Sequence, residues 1–346
     1  MVHVEERLLV QLRRASIGIV CVVAIGTLAC RRQGAVTPHR AGFASHLHLK
    51  GPETGLSVSP DGTMLVFSAM DGNKRGIFAL RMANRSVSPM INTPRSASWP
   101  VFSPSGRQIA FAMETDDGKA SEIWIYDISA GTSRRLTTSG SCDTAPCFAP
   151  DEQFIVFARA TRFRPASMGG YRWDDWDLCR VSVADGSEEQ LTWSRFYEMG
   201  RPVVSADGGS IYVGAISRQP VGVNEQIYVV HPGDGGVPIA ILGAAGQTRV
   251  HPAYPTHGSP FLAQDGKEIV FVSDVRTMYD YEVWTASLTG GVPSQITHDR
   301  GYNDEPSLMP NGDIAYLADA KRDGEWEIRL WRKADGTEER IYPPGR

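Results

Sequence analysis

Cysteine is scarce in this 346-residue chain, with five in all. Cys21 and Cys30 fall in an apolar N-terminal run, which leaves Cys142, Cys147 and Cys179. Three thiols allow at most one internal disulfide, and Cys142 with Cys147 would close a small loop around Asp143–Pro146; otherwise they pack as buried thiols. No second cysteine pair or nearby histidine completes a four-ligand metal site around them. The net charge is only -4, and there is no basic stripe or interleaved aromatic and arginine platform, so a nucleic-acid partner is excluded. No Gly-x-Ser-x-Gly elbow occurs, which removes serine-hydrolase chemistry, and no glycine-rich phosphate loop lies between a strand and a helix. Adjacent acids such as Asp174 with Asp175, or Asp304 with Glu305, point different ways on an extended chain, a poor geometry for glycosidase work. Helical periodicity is missing too.

What is present is a repeat. Six turns read Ser59-Pro60-Asp61-Gly62, Ser103-Pro104-Ser105-Gly106, Ala149-Pro150-Asp151-Glu152, Ser205-Ala206-Asp207-Gly208, Ala263-Gln264-Asp265-Gly266 and Met309-Pro310-Asn311-Gly312. Their spacings are 44, 46, 56, 58 and 46 residues. A proline stands three residues before the turn in five copies (Pro100, Pro146, Pro202, Pro260, Pro306), with Leu56 in the first. An apolar strand follows each turn, then a second strand such as Glu122–Tyr126, then a Gly-rich turn and a short Leu-Thr or Ile-Thr strand. Strands rich in β-branched and aromatic residues, punctuated by Gly, Asp, Asn and Pro, predict an all-β six-bladed β-propeller of four-stranded antiparallel blades. Glu152 stands where five copies have glycine, so a distorted turn is expected there.

This pattern resembles the WD-like repeats of the TolB-type six-bladed β-propeller over roughly residues 46 to 343. The resemblance implies an envelope-associated binding or scaffold role without naming a partner. TolB-type proteins carry an α/β domain ahead of the propeller, which this chain is expected to lack.

Residues 1–30 read as a secretory signal. Arg13 and Arg14 precede an apolar run from Ile17 to Leu28 that is short for a membrane span. Thr27-Leu28-Ala29-Cys30 resembles a bacterial lipobox, with Cys30 as the lipid attachment site. Residues 31–45 read as a flexible tether reaching roughly 20 Å, and 46–346 as the propeller. Arg31 after the cysteine points, by analogy, to the outer membrane. The protein is therefore expected to be exported, periplasmic or membrane-anchored as a lipoprotein, and monomeric. Ring closure is open: either His46–Leu49 adds an outer strand to the last blade, or Glu339–Tyr342 completes it alone.

Propeller topology sorts the connections onto two ends. The short turns gather at one, and the variable loops at the other, where binding residues concentrate. Between Thr161 and Asp177 a third-blade insertion carries Arg162, Phe163, Arg164, Tyr171, Arg172, Trp173 and Trp176; it reads either as an interface or as a self-packed Ω-loop. Further loop residues at that end are Arg249, His251, Tyr254 and His257. Residues just before each inner-strand proline should ring the axis, which nominates Trp99, Arg201, Asp304 and Glu305; Arg201 and Glu305 could instead pair and close the channel. The expected partner-binding set is Trp99, Arg201, Asp304, Glu305, Tyr171, Trp173 and Trp176. If it forms one surface, Trp173→Ala or Arg201→Ala should weaken binding without changing thermal unfolding.

The favoured function is a non-catalytic propeller, without cofactor, that binds a protein or cell-envelope glycan. The alternative is a metal-dependent lyase acting on uronic-acid oligosaccharides, with His251, His257 and His298 as candidate ligands.

Overall fold

The computed structural model describes residues 47–49, 54–165, 170–217, 225–233, 239–240, 256–263, 265–290 and 292–343. The signal, Cys30 and tether lie outside them, as do Arg249, His251 and Tyr254. Among the described residues no helix is long and apolar enough to cross a membrane.

The chain forms an all-β propeller of antiparallel four-stranded units. The first sheet holds β1 (Ser57–Val58), β2 (Met64–Asp71), β3 (Lys74–Arg81) and β4 (Val87–Ile91) in sequence order. Next come β5 (Ala97–Phe102), β6 (Gln108–Glu114), β7 (Ser121–Asp127) and β8 (Thr132–Arg135). They share one eight-stranded sheet with β9 (Cys142–Phe148), β10 (Phe154–Pro165), β11 (Tyr171–Ser182) and β12 (Glu188–Gln190), through the single parallel pair Ser121 and Cys142. Three more four-stranded sheets follow. They are β13 (Glu198–Val204), β14 (Ile211–Ile216), β15 (Gln226–Val230), β16 (Ile239–Ala240); β17 (His257–Leu262), β18 (Glu268–Ser273), β19 (Glu282–Ser287), β20 (Ser294–Gln295); and β21 (Tyr302–Leu308), β22 (Ile314–Asp319), β23 (Glu327–Trp331), β24 (Glu338–Tyr342).

Stacking of neighbouring sheets makes the core, as expected when no blade can cover its own faces. The first and last sheets share one apolar cluster containing Leu56, Phe67, Leu317 and Tyr342, and the Phe67 and Tyr342 rings lie 5.4 Å apart. The Val58 amide donates to Ser307 Oγ at 3.3 Å across the same seam. β24 pairs with β23, so the C-terminal residues complete the last sheet, while His48 bridges Met70 of β2 in the first.

The repeat motif has a clear physical basis. Ser59 Oγ donates to Asp61 Oδ1 and accepts the Met64 amide, and Ser205 does the same with Asp207 and Ser210. In the outer strand, Thr137, Thr192 and Thr297 each accept one backbone amide, from Ile123, Leu178 and Val283, at 2.9 Å. Each bond satisfies an amide where the short fourth strand ends.

Two expectations fail. Glu152 does not distort its turn: it takes φ 58°, and its amide donates to Ala149 O at 2.9 Å as Gly62 does to Ser59 O at 2.8 Å. Its carboxylate instead accepts from the Ser105 amide and from Ser105 Oγ at 3.1 Å, a contact between neighbouring four-strand units that offsets the left-handed backbone. Cys142 and Cys147 are not joined to each other by a disulfide. Both lie on β9, five residues apart along one extended strand, where their sulfurs cannot reach bonding distance.

Candidate functional site

Five of the six inner strands, all but the short β1, are kinked midway by a register shift, as between Ser98 and Val101, Met199 and Pro202, Gly258 and Phe261, and Asp304 and Ser307, with a fifth in the β9–β10 pairing. The residue before the proline, or before Leu56 in the first copy, takes a left-handed backbone at Gly55, Trp99, Ala145, Ser259 and Glu305, with φ between 46° and 57°. Such bulges re-aim side chains, and here they turn the pre-proline pair towards the axis.

Arg201, at the sixth such position, is 6% exposed and forms the hub. Nη1 donates to Leu56 O at 2.9 Å and lies 3.4 Å from Glu305 Oε2; Nη2 donates to Pro100 O at 3.4 Å; the guanidinium sits 5.3 Å from the Trp99 ring centroid. Gly55 is required beneath it, because a Cβ there would stand 2.6 Å from Trp99 Cα and 2.7 Å from Arg201 Nη2. Trp99, Arg201 and Glu305 are therefore packed into the axis rather than displayed on a rim. Arg201 and Glu305 pair with each other out of solvent, and the expectation that Arg201→Ala spares stability does not survive this burial.

Acids crowd the same place. Asp304 Oδ1 accepts from Ser259 Oγ and from the Glu305 amide at 2.7 Å. The Glu225 carboxylate, which sequence reasoning missed, nests against three glycines: a Cβ at Gly258 would meet its Oε2 at 2.5 Å and one at Gly200 its Oε1 at 3.7 Å, while Gly214 leaves no room at all. Glycines inside strands signal such an approach. Burial pushes the Glu305 carboxyl up to about 8, with Arg201 opposing and Asp304 reinforcing. Burial likewise raises Asp304, and lifts Glu198 to about 7 against the pull of Arg172. Glu225 is held well above the usual carboxylate range by burial, then by Asp304, Glu198 and Glu305.

The third-blade insertion is not an Ω-loop. β10 and β11 continue as one antiparallel hairpin past the start of β9, paired from Ala160 with Trp176 out to Pro165 with Tyr171. Phe163 stacks on Tyr171 with centroids 5.3 Å apart and tilts against Trp173 at 5.2 Å. Trp173 Nε1 donates to Lys119 O at 2.8 Å, and half-buried Trp176 bridges Phe196 and packs on the core beneath, so Trp176 supports the hairpin. Phe163 and Tyr171 are 44% and 58% exposed. The seven predicted binding residues thus fall into two groups, a buried axial set and the hairpin, both towards the loop-bearing end.

Trp193, Tyr197, Met278 and Tyr279 are also exposed. All follow an outer strand or link the second and third strands of a sheet, so with Phe163 and Tyr171 they share the loop-bearing end; among the exposed large apolar side chains of the described residues, only Val292, in a short turn, lies at the other.

Of the candidate metal ligands, His251 lies outside the described residues. His257 is buried beside Phe271, and burial depresses its pKa to about 4; His298 is exposed. Among the described residues no group of three or more His, Cys, Asp or Glu side chains is arranged to hold a metal ion.

Comparison with known proteins gives the family. A profile of the TolB beta propeller domain matches residues 47–231. The Tol-Pal system protein TolB of Francisella tularensis subsp. mediasiatica is 24% identical over 281 residues, covering 80% of this chain and 48% of that protein. The chain thus spans about half the length of the curated relatives it matches. TolB from Acinetobacter baumannii superposes with a TM-score of 0.61 at 17% identity, covering 81% of this chain and 63% of that one. An oligogalacturonate lyase in complex with manganese superposes at 0.58 and 13% identity, covering 86% and 78%, a likeness of fold alone. With a profile matching more than half its length, the chain belongs to the TolB β-propeller domain family.

Proposed function

We propose that this chain is a non-catalytic, six-bladed propeller, exported and lipid-anchored at Cys30, that binds an envelope protein through its loop-bearing end. The six-blade count treats the eight-stranded sheet as two blades, β5–β8 and β9–β12, touching at Ser121 and Cys142. The name of the Francisella relative, a Tol-Pal system protein, supports an envelope role. One observation carries the binding surface: Phe163, Tyr171, Trp193, Tyr197, Met278 and Tyr279 are all exposed at one end. Exposed aromatics gathered around a rigid scaffold are the composition of an interaction site. The axial set contributes by holding that end rigid, with the β10–β11 hairpin as the contact element.

Photo-crosslinking in intact cell envelopes tests this. A crosslinker replacing Tyr171 or Met278 should capture one protein, identified by mass spectrometry, whereas a crosslinker replacing Val292 should not. Capture from Val292 alone would refute the reading.

A further inference from the structure

The β10–β11 extension has two unlike faces. Phe163 lies opposite Trp173, and Pro165 opposite Tyr171; the alternate positions pair Arg162 with Asp174 and Arg164 with Arg172. Two cations directly across an antiparallel pair normally repel. Here both reach one wholly buried carboxylate: Arg172 Nη2 lies 3.3 Å from Asp174 Oδ1, and Arg164 contacts Oδ2. Arg162 reaches Asp175 at 3.6 Å, with its side chain 62% exposed. Three guanidiniums against two carboxylates leave this hairpin with surplus positive charge. Glu198 faces Arg172 from below, but burial lifts its carboxyl to about 7, so it neutralises the surplus only partly.

The cations are also held in place. Arg172 stacks 3.7 Å above the Tyr197 ring and donates to Tyr197 O at 3.4 Å. A guanidinium keeps fork-shaped donors for a further carboxylate after one contact is made. Beside them one backbone edge has no partner strand among the described residues. β9 begins at Cys142, opposite Ala160, and no described strand pairs with Arg162–Pro165 on that side. An open edge flanked by alternating side chains suits an added extended segment.

We infer that this hairpin binds an extended acidic segment of a protein partner, its carboxylates meeting Arg162 and Arg164 and its apolar side chains meeting Phe163 and Tyr171. This rests on the loop-bearing end being the recognition surface.

The test is fluorescence anisotropy of the full protein with a labelled peptide alternating glutamate and leucine. Binding is expected, weakened about tenfold or more by Arg162→Glu with Arg164→Glu and by raised salt, as charge reversal at a contact requires. Arg162→Lys should retain most of it, and Lys321→Glu, on another loop of the same end, should leave it unchanged. Should the double variant fail to fold, Arg162→Glu alone decides, because that side chain is mostly in solvent. Equal binding of a lysine–leucine peptide, or indifference to the reversals, overturns the inference. Tighter binding of polygalacturonate or phosphatidylglycerol vesicles also overturns it, assigning the cations to a glycan or a lipid. Crosslinking from Tyr171 that persists in Arg162→Glu/Arg164→Glu keeps the recognition end but rejects the acidic partner; failure at every position of that end rejects the broader reading.

Discussion

Arg201 Nη1 and Glu305 Oε2 lie 3.4 Å apart at the axis, where Arg201 is 6% and Glu305 5% exposed. The pair ties β13 to β21, and through Leu56 O and Pro100 O it reaches the first sheet and β5 as well. Removing one partner strands the other without water. At about pH 9, where Glu305 is ionised, Arg201→Met should therefore cost about 3–5 kcal/mol in denaturant unfolding, and Arg201→Met with Glu305→Met should recover much of it. A single variant that unfolds like the parent protein would contradict this.

The axial acids make stability fall as pH rises. Glu198, Glu225, Asp304 and Glu305 have folded-state pKa values above their unfolded ones, so the folded protein holds their protons longer. Their contribution is fullest below the ordinary carboxylate pKa and is lost as pH climbs through about 7 and 8, the values for Glu198 and Glu305. Each such group changes stability by at most about 1.4 kcal/mol per pH unit. Thermal unfolding scanned from pH 5 to about 9 should show a falling midpoint, flattened in Glu225→Gln.

Gly55→Ala should be severe. Its φ is 51°, and the added Cβ would stand 2.6 Å from the Trp99 backbone, which cannot swing away. A loss of about 2 kcal/mol or more is expected from strain and overpacking together, read as a lowered unfolding midpoint.

Glu152 offers a finer comparison. Glu152→Ala loses the Ser105 contacts yet keeps the left-handed backbone, whereas Glu152→Gly loses the contacts and relieves the backbone. The glycine variant should be the more stable of the two by about 1 kcal/mol. Equal midpoints would show that the turn carries no strain.

The strands and turns were legible because they recur: a proline at one offset in five copies, a polar turn at the next and a threonine after the fourth strand in three units impose similar local geometry. Whatever depends on one copy alone was not legible. The hairpin character of Thr161–Asp177 depends on Phe163 facing Trp173 across two strands, which composition cannot distinguish from an Ω-loop. That Cys142 and Cys147 do not pair depends on both lying in one extended strand, five residues apart. Glu225 was hidden because its signal is indirect, in the mid-strand glycines Gly200, Gly214 and Gly258 that make room for it. Arg201 was nominated as axial, but its burial arises from two carbonyls and one carboxylate brought together by the packing of separate sheets.

The most direct test of the account is partner capture by a variant carrying Phe163→Ser and Tyr171→Ser, with the unfolding midpoint measured in parallel. The account predicts that capture is lost while the midpoint stays within about 0.5 kcal/mol of the parent protein, as for surface changes away from a core. Undiminished capture, or loss only through unfolding, would contradict it.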